Sequence, residues 1–224
     1  MDGAPKRYEA LAGAPARIAP PDTFYGRHGK RVLDGVLALA LLPVLLPVMA
    51  IIALGMAHRG NIIYGHRRVG RLGEAFTCYK FRTMVVDADE RLAELLATDP
   101  DARAEWERDH KLADDPRITR LGRVLRKTSL DELPQIWNVL RGEMSFVGPR
   151  PVTRAELIKY DEHAATYLSV KPGVTGPWQV ECRGQGTYRE RVALDMNYIR
   201  DINLATDVAT IARTALVPLK MAGR

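Results

Sequence analysis

Two adjacent carboxylates, Asp131 and Glu132, stand between a basic stretch and two Gly/Pro segments that each carry a cation. The basic stretch is Arg117, Arg120, Arg123, Arg126 and Lys127. The Gly/Pro segments are Val147-Gly148-Pro149-Arg150-Pro151 and Lys171-Pro172-Gly173-Val174-Thr175-Gly176-Pro177-Trp178. Phosphoryl transfer needs this inventory. A carboxylate can attack phosphorus as a nucleophile. A second carboxylate can hold Mg²⁺, which offsets diphosphate charge and stabilises a leaving group. Arginines grip phosphate oxygens bidentately and position the reacting centre. Neither a Walker A motif nor a GxGxxG dinucleotide fingerprint occurs.

Each piece also has an ordinary structural reading. Ser129-Leu130-Asp131-Glu132 matches a capping box, S-x-x-E, opening a helix that ends near Arg141-Gly142. Acids are favoured there by the helix dipole. Basic residues three apart occupy neighbouring helix positions and read as a solvated face. The Gly/Pro segments read as rigid turns. Taken one residue at a time, these readings outweigh the catalytic one, and only the convergence of the pieces favours chemistry.

The elements that would position this chemistry begin with an apolar run. Val36 to Ala57 is 22 residues without a charge. As a helix it would extend roughly 33 Å, enough to cross a hydrocarbon core. It starts too far from the N-terminus for a cleaved signal peptide, and it is apolar all round for longer than a soluble core helix. Pro43 and Pro47 lie within it, where a break or kink is expected. Arg27, Lys30 and Arg31 precede the run; Arg59, Arg67, Arg68 and Arg71 follow it. Basic flanks on both sides favour a hairpin that enters one leaflet and returns, with a Pro-kinked full span as the alternative.

The rest of the chain fits one catalytic domain. Only Cys78 and Cys182 occur, with no spacing suited to zinc, so a reducing compartment suits the chain. Net charge is +6, yet Asp87 to Asp115 holds eleven acidic and four basic residues, a local −7. That asymmetry fits a basic face on an anionic membrane with an acidic lobe turned away; nucleic-acid binding stays open on charge alone but leaves the apolar run unexplained. Residues 1–26, rich in Ala, Pro and Gly, read as a flexible tail. Asn61–Tyr64 and Ala75–Phe81 read as a hairpin turning at Gly70–Gly73. Helices are expected over Asp87–Ala97, from the Asp99 N-cap through Trp106, and along an apolar stripe from Leu204 to Leu219. That last stripe packs on a core or lies on a membrane.

Three blocks carry a resemblance: Lys80-Phe81-Arg82-Thr83-Met84, the run from Arg126 to Pro151 (RKTSLDELPQIWNVLRGEMSFVGPRP), and Lys171 to Val180 (KPGVTGPWQV). With these the chain, over roughly residues 27–224, resembles the bacterial sugar transferases, the monotopic phosphoglycosyl transferases that begin surface-polysaccharide assembly. The resemblance implies an α+β, mostly helical fold: an N-terminal re-entrant membrane helix broken at Pro47 (27–59), a small β-hairpin, amphipathic helices at the membrane surface, and a cytoplasmic catalytic domain (60–224) on the inner membrane. Many members carry Ser before the proline, where this chain has Leu46.

On the same resemblance Asp131 is the nucleophile and Glu132 its partner, with Mg²⁺ at the pair. Arg126, Arg150, Arg183, Lys80 and Arg82 are read as substrate-binding. Members commonly show Gly-Arg-Asn after the Trp-Gln element; here the stretch is Glu181-Cys182-Arg183-Gly184-Gln185, so Arg183 is kept among different neighbours. The implied reaction is ping-pong. Hexose-1-phosphate, galactose or glucose, passes from a UDP-sugar to Asp131 with loss of UMP, then to undecaprenyl phosphate in the membrane. The expected partners are the UDP-sugar, undecaprenyl phosphate and membrane lipid, with no nucleic acid; a homodimer is left open. A non-enzymatic membrane scaffold is the competing reading, and it leaves the carboxylate pair and arginines without employment.

Overall fold

The computed structural model describes residues 16, 18–57, 60–109, 112–182 and 186–221. Mostly helical, these begin with a π-helical turn, Tyr25–Gly29, that leads into α1, Lys30–Met56. A hairpin follows, β1 (Ile63–Val69) and β2 (Ala75–Phe81), then α2 (Ala88–Thr98), α3 (Pro100–Asp109) and α4 (Arg120–Thr128). A 3₁₀ segment, Leu130–Gln135, runs into α5 (Ile136–Arg141). Next come β3 (Ser145–Val147), α6 (Arg154–Leu157), α7 (Ala164–Leu168), β4 (Gly173–Thr175), α8 (Pro177–Glu181), α9 (Tyr188–Arg200) and α10 (Leu204–Met221). Contacts divide the chain into two units. One comprises Met1–Val44, Gly65–Tyr79 and Gln135–Arg224; the other comprises Leu45–Tyr64 and Lys80–Pro134.

Helix α1 is long and apolar enough to cross a membrane. Leu, Ala and Met favour the helix, and its assignment passes Pro43 and Pro47 without a non-helical residue. Its aliphatic side chains face outward: Leu39, Val44 and Leu46 are exposed, Ile51 to 69% and Leu54 to 76%. A contiguous apolar surface of this size marks an interaction with something other than water.

In the first unit, three polar side chains tie the start of α1 down. Lys30 Nζ donates to Asp207 Oδ2 at 2.6 Å and to the Tyr198 hydroxyl at 2.9 Å. The Arg31 guanidinium donates to the Val139 and Leu140 carbonyls, closing the last turn of α5. Asp34 Oδ1 accepts from Ser145 Oγ and the Phe146 N–H, both at 2.9 Å. Part of the segment read as a tail is also held here, since the Ile18 N–H donates to Thr166 Oγ1. Strands β3 and β4 pair in parallel, Ser145 with Gly173 and Val147 with Thr175. A Cβ on Gly173 would lie 2.2 Å from the Gly148 nitrogen, so the Gly/Pro segments approach more closely than a side chain would allow. The core beneath contains Val69, Val152, Leu157, Tyr160, Tyr167 and Ile199.

The second unit is organised around Ile52, Met56, Phe81 and Leu125, with Leu121, Leu130 and Leu133 against them. Helix α3 starts as its sequence predicts: Asp99 Oδ1 accepts from the N–H groups of Asp101 and Ala102. The basic stretch is not all helical. Arg117 precedes the N-cap Thr119, forms a two-nitrogen contact with the Asp115 carboxylate, and lies over Trp106 at 5.1 Å. Helix α4 buries Gly122 and Leu125 and exposes Val124, to 56%, beside Arg120, Arg123 and Lys127.

Gly122 lets α4 pack on the chain leading out of β2. A Cβ there would meet the Thr83 carbonyl oxygen at 2.1 Å. Backbone cannot swing aside as a flexible side chain can. Gly122→Ala is therefore expected to destabilise the fold by about 1–3 kcal/mol, read as a lowered unfolding midpoint in detergent; an unchanged midpoint would show that the packing is looser than described.

Candidate active site

Asp131 and Glu132 lie in the first turn of the 3₁₀ segment, directly after α4. The expected capping box does not form. Ser129 is the C-cap of α4, in left-handed conformation at φ 58°, and the Glu132 N–H donates to the Ser129 carbonyl at 3.2 Å. The Glu132 side chain instead faces Lys80, whose Nζ lies 2.5 Å from Glu132 Oε1 and 3.8 Å from Asp131 Oδ2. The left-handed residue turns the chain between α4 and the acids, so they project toward strand β2 rather than back onto their own helix start.

Asp131 is only 8% exposed. Burial pushes its carboxyl above the ordinary carboxylate range; Lys80 opposes this, Glu132 adds to it, and Arg126 opposes it again. Two cations thus pull a desolvated carboxylate back toward its charged, nucleophilic form. Arg126 is exposed on the last turn of α4, with Nε donating to Thr83 Oγ1 at 2.8 Å. Arg82 donates from Nε to the Asn61 carbonyl and lies over the Tyr64 ring at 5.4 Å.

The pair's oxygen donors suit Mg²⁺. Glu132 already faces one cation, the Lys80 ammonium. Among the described residues no three of His, Cys, Asp and Glu converge. Mg²⁺ is commonly held by one or two carboxylates, with water and substrate phosphates completing the shell.

Arg150 belongs to the other unit, where the carbonyls around it are paired. The segment from Pro149 to Val152 offers four carbonyls, and all are paired. Pro149 O accepts from the Gly173 N–H and Val152 O from the Val69 N–H. Arg150 O accepts from the Tyr167 hydroxyl at 3.2 Å and Arg191 Nη2 at 3.1 Å. Pro151 O accepts from Arg68 Nη1 at 3.3 Å, and Arg68 is also paired with Glu156. Two prolines and five accepted bonds leave this backbone little freedom. Arg183 lies outside the described residues, and Pro47 lies within α1.

Sequence reasoning missed what stands behind Arg150. Asp195 is fully buried, its Oδ2 accepts from the Tyr160 hydroxyl at 2.6 Å, and Arg191 Nε is 3.8 Å away. Arg191 Nε and Asp195 Oδ1 have no hydrogen-bond partner among the described residues, so this pair attracts by charge without a direct bond. One signal was available: Asp195 sits on the apolar stripe of α9 with Val192, Met196 and Ile199.

Comparison with known proteins decides the kinship. The family model for bacterial sugar transferases matches residues 25–221. The chain belongs to the bacterial sugar transferase family. The chain is 52% identical over 198 residues to the UDP-galactose-lipid carrier transferase of Erwinia amylovora, covering 88% of this chain and 42% of that one. It is 50% identical to the undecaprenyl-phosphate galactose phosphotransferase of Salmonella typhimurium, with the same coverage. Exopolysaccharide production protein ExoY of Sinorhizobium fredii is 48% identical, over 82% of this chain and 80% of that protein. The chain therefore spans about two fifths of the first two relatives and most of the third.

Burial also sets a pH dependence in this family member. It pushes the Asp195 carboxyl up to about 6, against Tyr160 and Arg191, which both lower it. The folded state then holds a proton that the unfolded chain, near 3.9, has released. That contribution is complete below the unfolded value and is lost as pH rises through about 6. Asp195→Asn removes the titration. The stability advantage of the native chain over this variant is expected to be larger at pH 5 than at pH 7.5 by about 1 kcal/mol, measured as unfolding midpoints in detergent. A gap independent of pH would remove Asp195 from the titrating groups.

Proposed function

We propose that this chain transfers a hexose-1-phosphate from a UDP-sugar to undecaprenyl phosphate, releasing UMP, as the first step of exopolysaccharide synthesis. The observation that carries the reading is Lys80 set against the adjacent Asp131 and Glu132 in a member of the sugar transferase family. Galactose is the preferred sugar, because the first two relatives described are named for it; glucose is the alternative.

In the proposed reaction an Asp131 carboxylate oxygen attacks the sugar-bearing phosphorus. The bond from that phosphorus to the bridging oxygen breaks, and UMP leaves with the oxygen. A phosphate oxygen of the lipid acceptor then attacks the same phosphorus, the bond to Asp131 breaks, and the carboxylate is restored. Lys80 and Arg126 hold Asp131 ionised and face the phosphate charge as it arrives. Arg150, on its immobilised segment, grips phosphate; Arg82 and Arg183 are assigned to substrate as well. Asp131 and Glu132 would hold Mg²⁺, which supplies charge neutralisation at the diphosphate when bound.

The same proposal places α1 in the inner membrane as a re-entrant helix turning at Pro47, with the catalytic residues on the cytoplasmic face. The exposed aliphatic residues of α1 and the Val124 face of α4, rimmed by Arg120, Arg123 and Lys127, support membrane contact. Such an anchor keeps the site at headgroup level, where a lipid phosphate lies.

The test is UMP release in membranes supplied with undecaprenyl phosphate and, in turn, UDP-galactose, UDP-glucose and the N-acetylated sugars. Release with UDP-galactose, abolished by Asp131→Asn, is expected. Undiminished turnover in that variant would sink the nucleophile assignment, and no release with any donor would favour a scaffold. A second measurement addresses Lys80. Removing its charge leaves the burial of Asp131 less opposed and raises the carboxyl further, so Lys80→Gln should move the acid limb of the kcat/KM profile to higher pH. An unmoved limb would separate Lys80 from the ionisation of Asp131.

A further inference from the structure

A second feature of the Asp131 unit has no role so far: an open cleft of about 260 Å³. Its apolar lining is Met56, Met84, Val85 and Val86, and its polar lining includes Asn61 and Arg82. Three observations define what it can hold. Met56 is the last residue of α1, so the cleft opens where the apolar helix ends. Val86 is 68% exposed, an aliphatic side chain left in contact with solvent at the rim. Among the described residues, Arg82 is the sole charged residue of the lining. An apolar trough with one cation suits an elongated hydrocarbon bearing one anionic head.

The cleft also stands in a defined relation to the carboxylates. Lys80, Phe81 and Arg82 run as extended chain at the end of β2, and Phe81 is buried in the core between them. Residues two apart on such a chain share a face, so Lys80 and Arg82 are side by side, roughly 7 Å apart along the backbone. Lys80 reaches Asp131 and Glu132. Arg82 is steered by its Nε bond to the Asn61 carbonyl and by the Tyr64 ring. A phosphate on Arg82 is therefore one step along the strand from the acids.

We propose that this cleft is the acceptor site: it takes the phosphate-proximal isoprene units of a polyprenyl phosphate, with Arg82 holding the phosphate and Met84, Val85, Val86 and Met56 enclosing the chain. The proposal rests on the transferase reading above and adds to it where the lipid binds. It separates the two substrates' cations, giving Arg82 to the acceptor while Lys80 and Arg126 attend Asp131. It also accounts for an aliphatic run, Met84-Val85-Val86, placed at the edge of an acidic, polar region.

The experiment uses the full chain in detergent and a short polyprenyl phosphate carrying a diazirine on its second isoprene unit, with labelled residues located by mass spectrometry. Label is expected on the segment Met84–Val86 or on Met56. Val86→Asp, an exposed substitution that should fold, places a charge in the apolar lining and should cut labelling about tenfold. Unlabelled polyprenyl phosphate should compete, and the uncharged polyprenol should compete less well in the native chain than in Arg82→Gln, where that preference shrinks. Label confined to other residues, undiminished labelling of Val86→Asp, or equal competition by phosphatidic acid (a general lipid surface) would each overturn the assignment. Acceptor-free exchange of labelled UMP into UDP-galactose is run on the same preparation. Its absence would overturn the aspartyl intermediate without touching the cleft, because labelling needs no donor.

Discussion

A buried carboxylate must find a positive charge or give up its own. Asp131 answers that constraint with Lys80, and much of its unit follows from bringing the two together. The acid is delivered by a 3₁₀ segment and the lysine by the end of a strand, elements far apart in sequence. Phe81, next to Lys80, and Leu130, next to Asp131, are drawn into the same apolar cluster, so the ion pair is registered by the hydrophobic residues beside it. Burial of those neighbours is worth roughly 1.5–3 kcal/mol each when complete, whereas a partly exposed ion pair is worth little by itself. The core fixes the site, and the charges tune it. Thr83 continues the arrangement: its carbonyl receives the Thr119 N–H at the start of α4 and its hydroxyl receives Arg126 from the far end. One residue after the strand thereby orients both ends of the basic helix.

The unit containing Arg150 solves a different problem, that of holding a loop still. Prolines on either side of Arg150 remove two donors, which leaves carbonyls in excess. The fold satisfies them with side chains as well as backbone, and the Arg150 carbonyl receives two. The cost of that device is a buried charge. Arg191 brings its guanidinium into the core to reach the carbonyl, Asp195 accompanies it, and the Asp195 carboxyl is forced upward by the same burial. Tyr160 and Tyr188 surround Arg191 with ring faces that tolerate a cation.

Much of this was legible in the residues. Helices over 88–98, 100–109 and 204–221 and the strand Ala75–Phe81 fall where periodicity and capping residues put them, because those signals are local. Strand β1 extends to Val69, beyond the expected Tyr64, because its pairing with β2 carries Arg67 and Arg68 into the ladder. The carboxylate pair could be named, but its local setting was misread. Ser129 had the right type and spacing for a capping box and became the left-handed end of the preceding helix instead. Nothing local distinguishes these outcomes, since the choice depends on Leu125 and Leu130 both reaching one core. The Asp195 network was less visible still, being assembled from α9, the 3₁₀ turn at Tyr160 and the loop at Arg150.

Helix α1 shows how one element can serve two solvents. Its opening turns carry Lys30, Arg31 and Asp34, which end on a carboxylate, two carbonyls and a backbone N–H. An unpaired charge there would cost several kcal/mol near a membrane, but none of the three is left unpaired. Beyond Gly35 the helix has no charge to place, and its aliphatic side chains are free to face lipid. The N-terminal polar residues lie one turn apart, so they face one side and give the helix a fixed rotation about its axis. Rotation, in turn, decides which of the next side chains in the same unit are presented outward, as Leu39 is, and which, like Ala38, are buried. The polar clamp thus selects the apolar face of the turns that follow it, through nothing more than the 3.6-residue period of the helix.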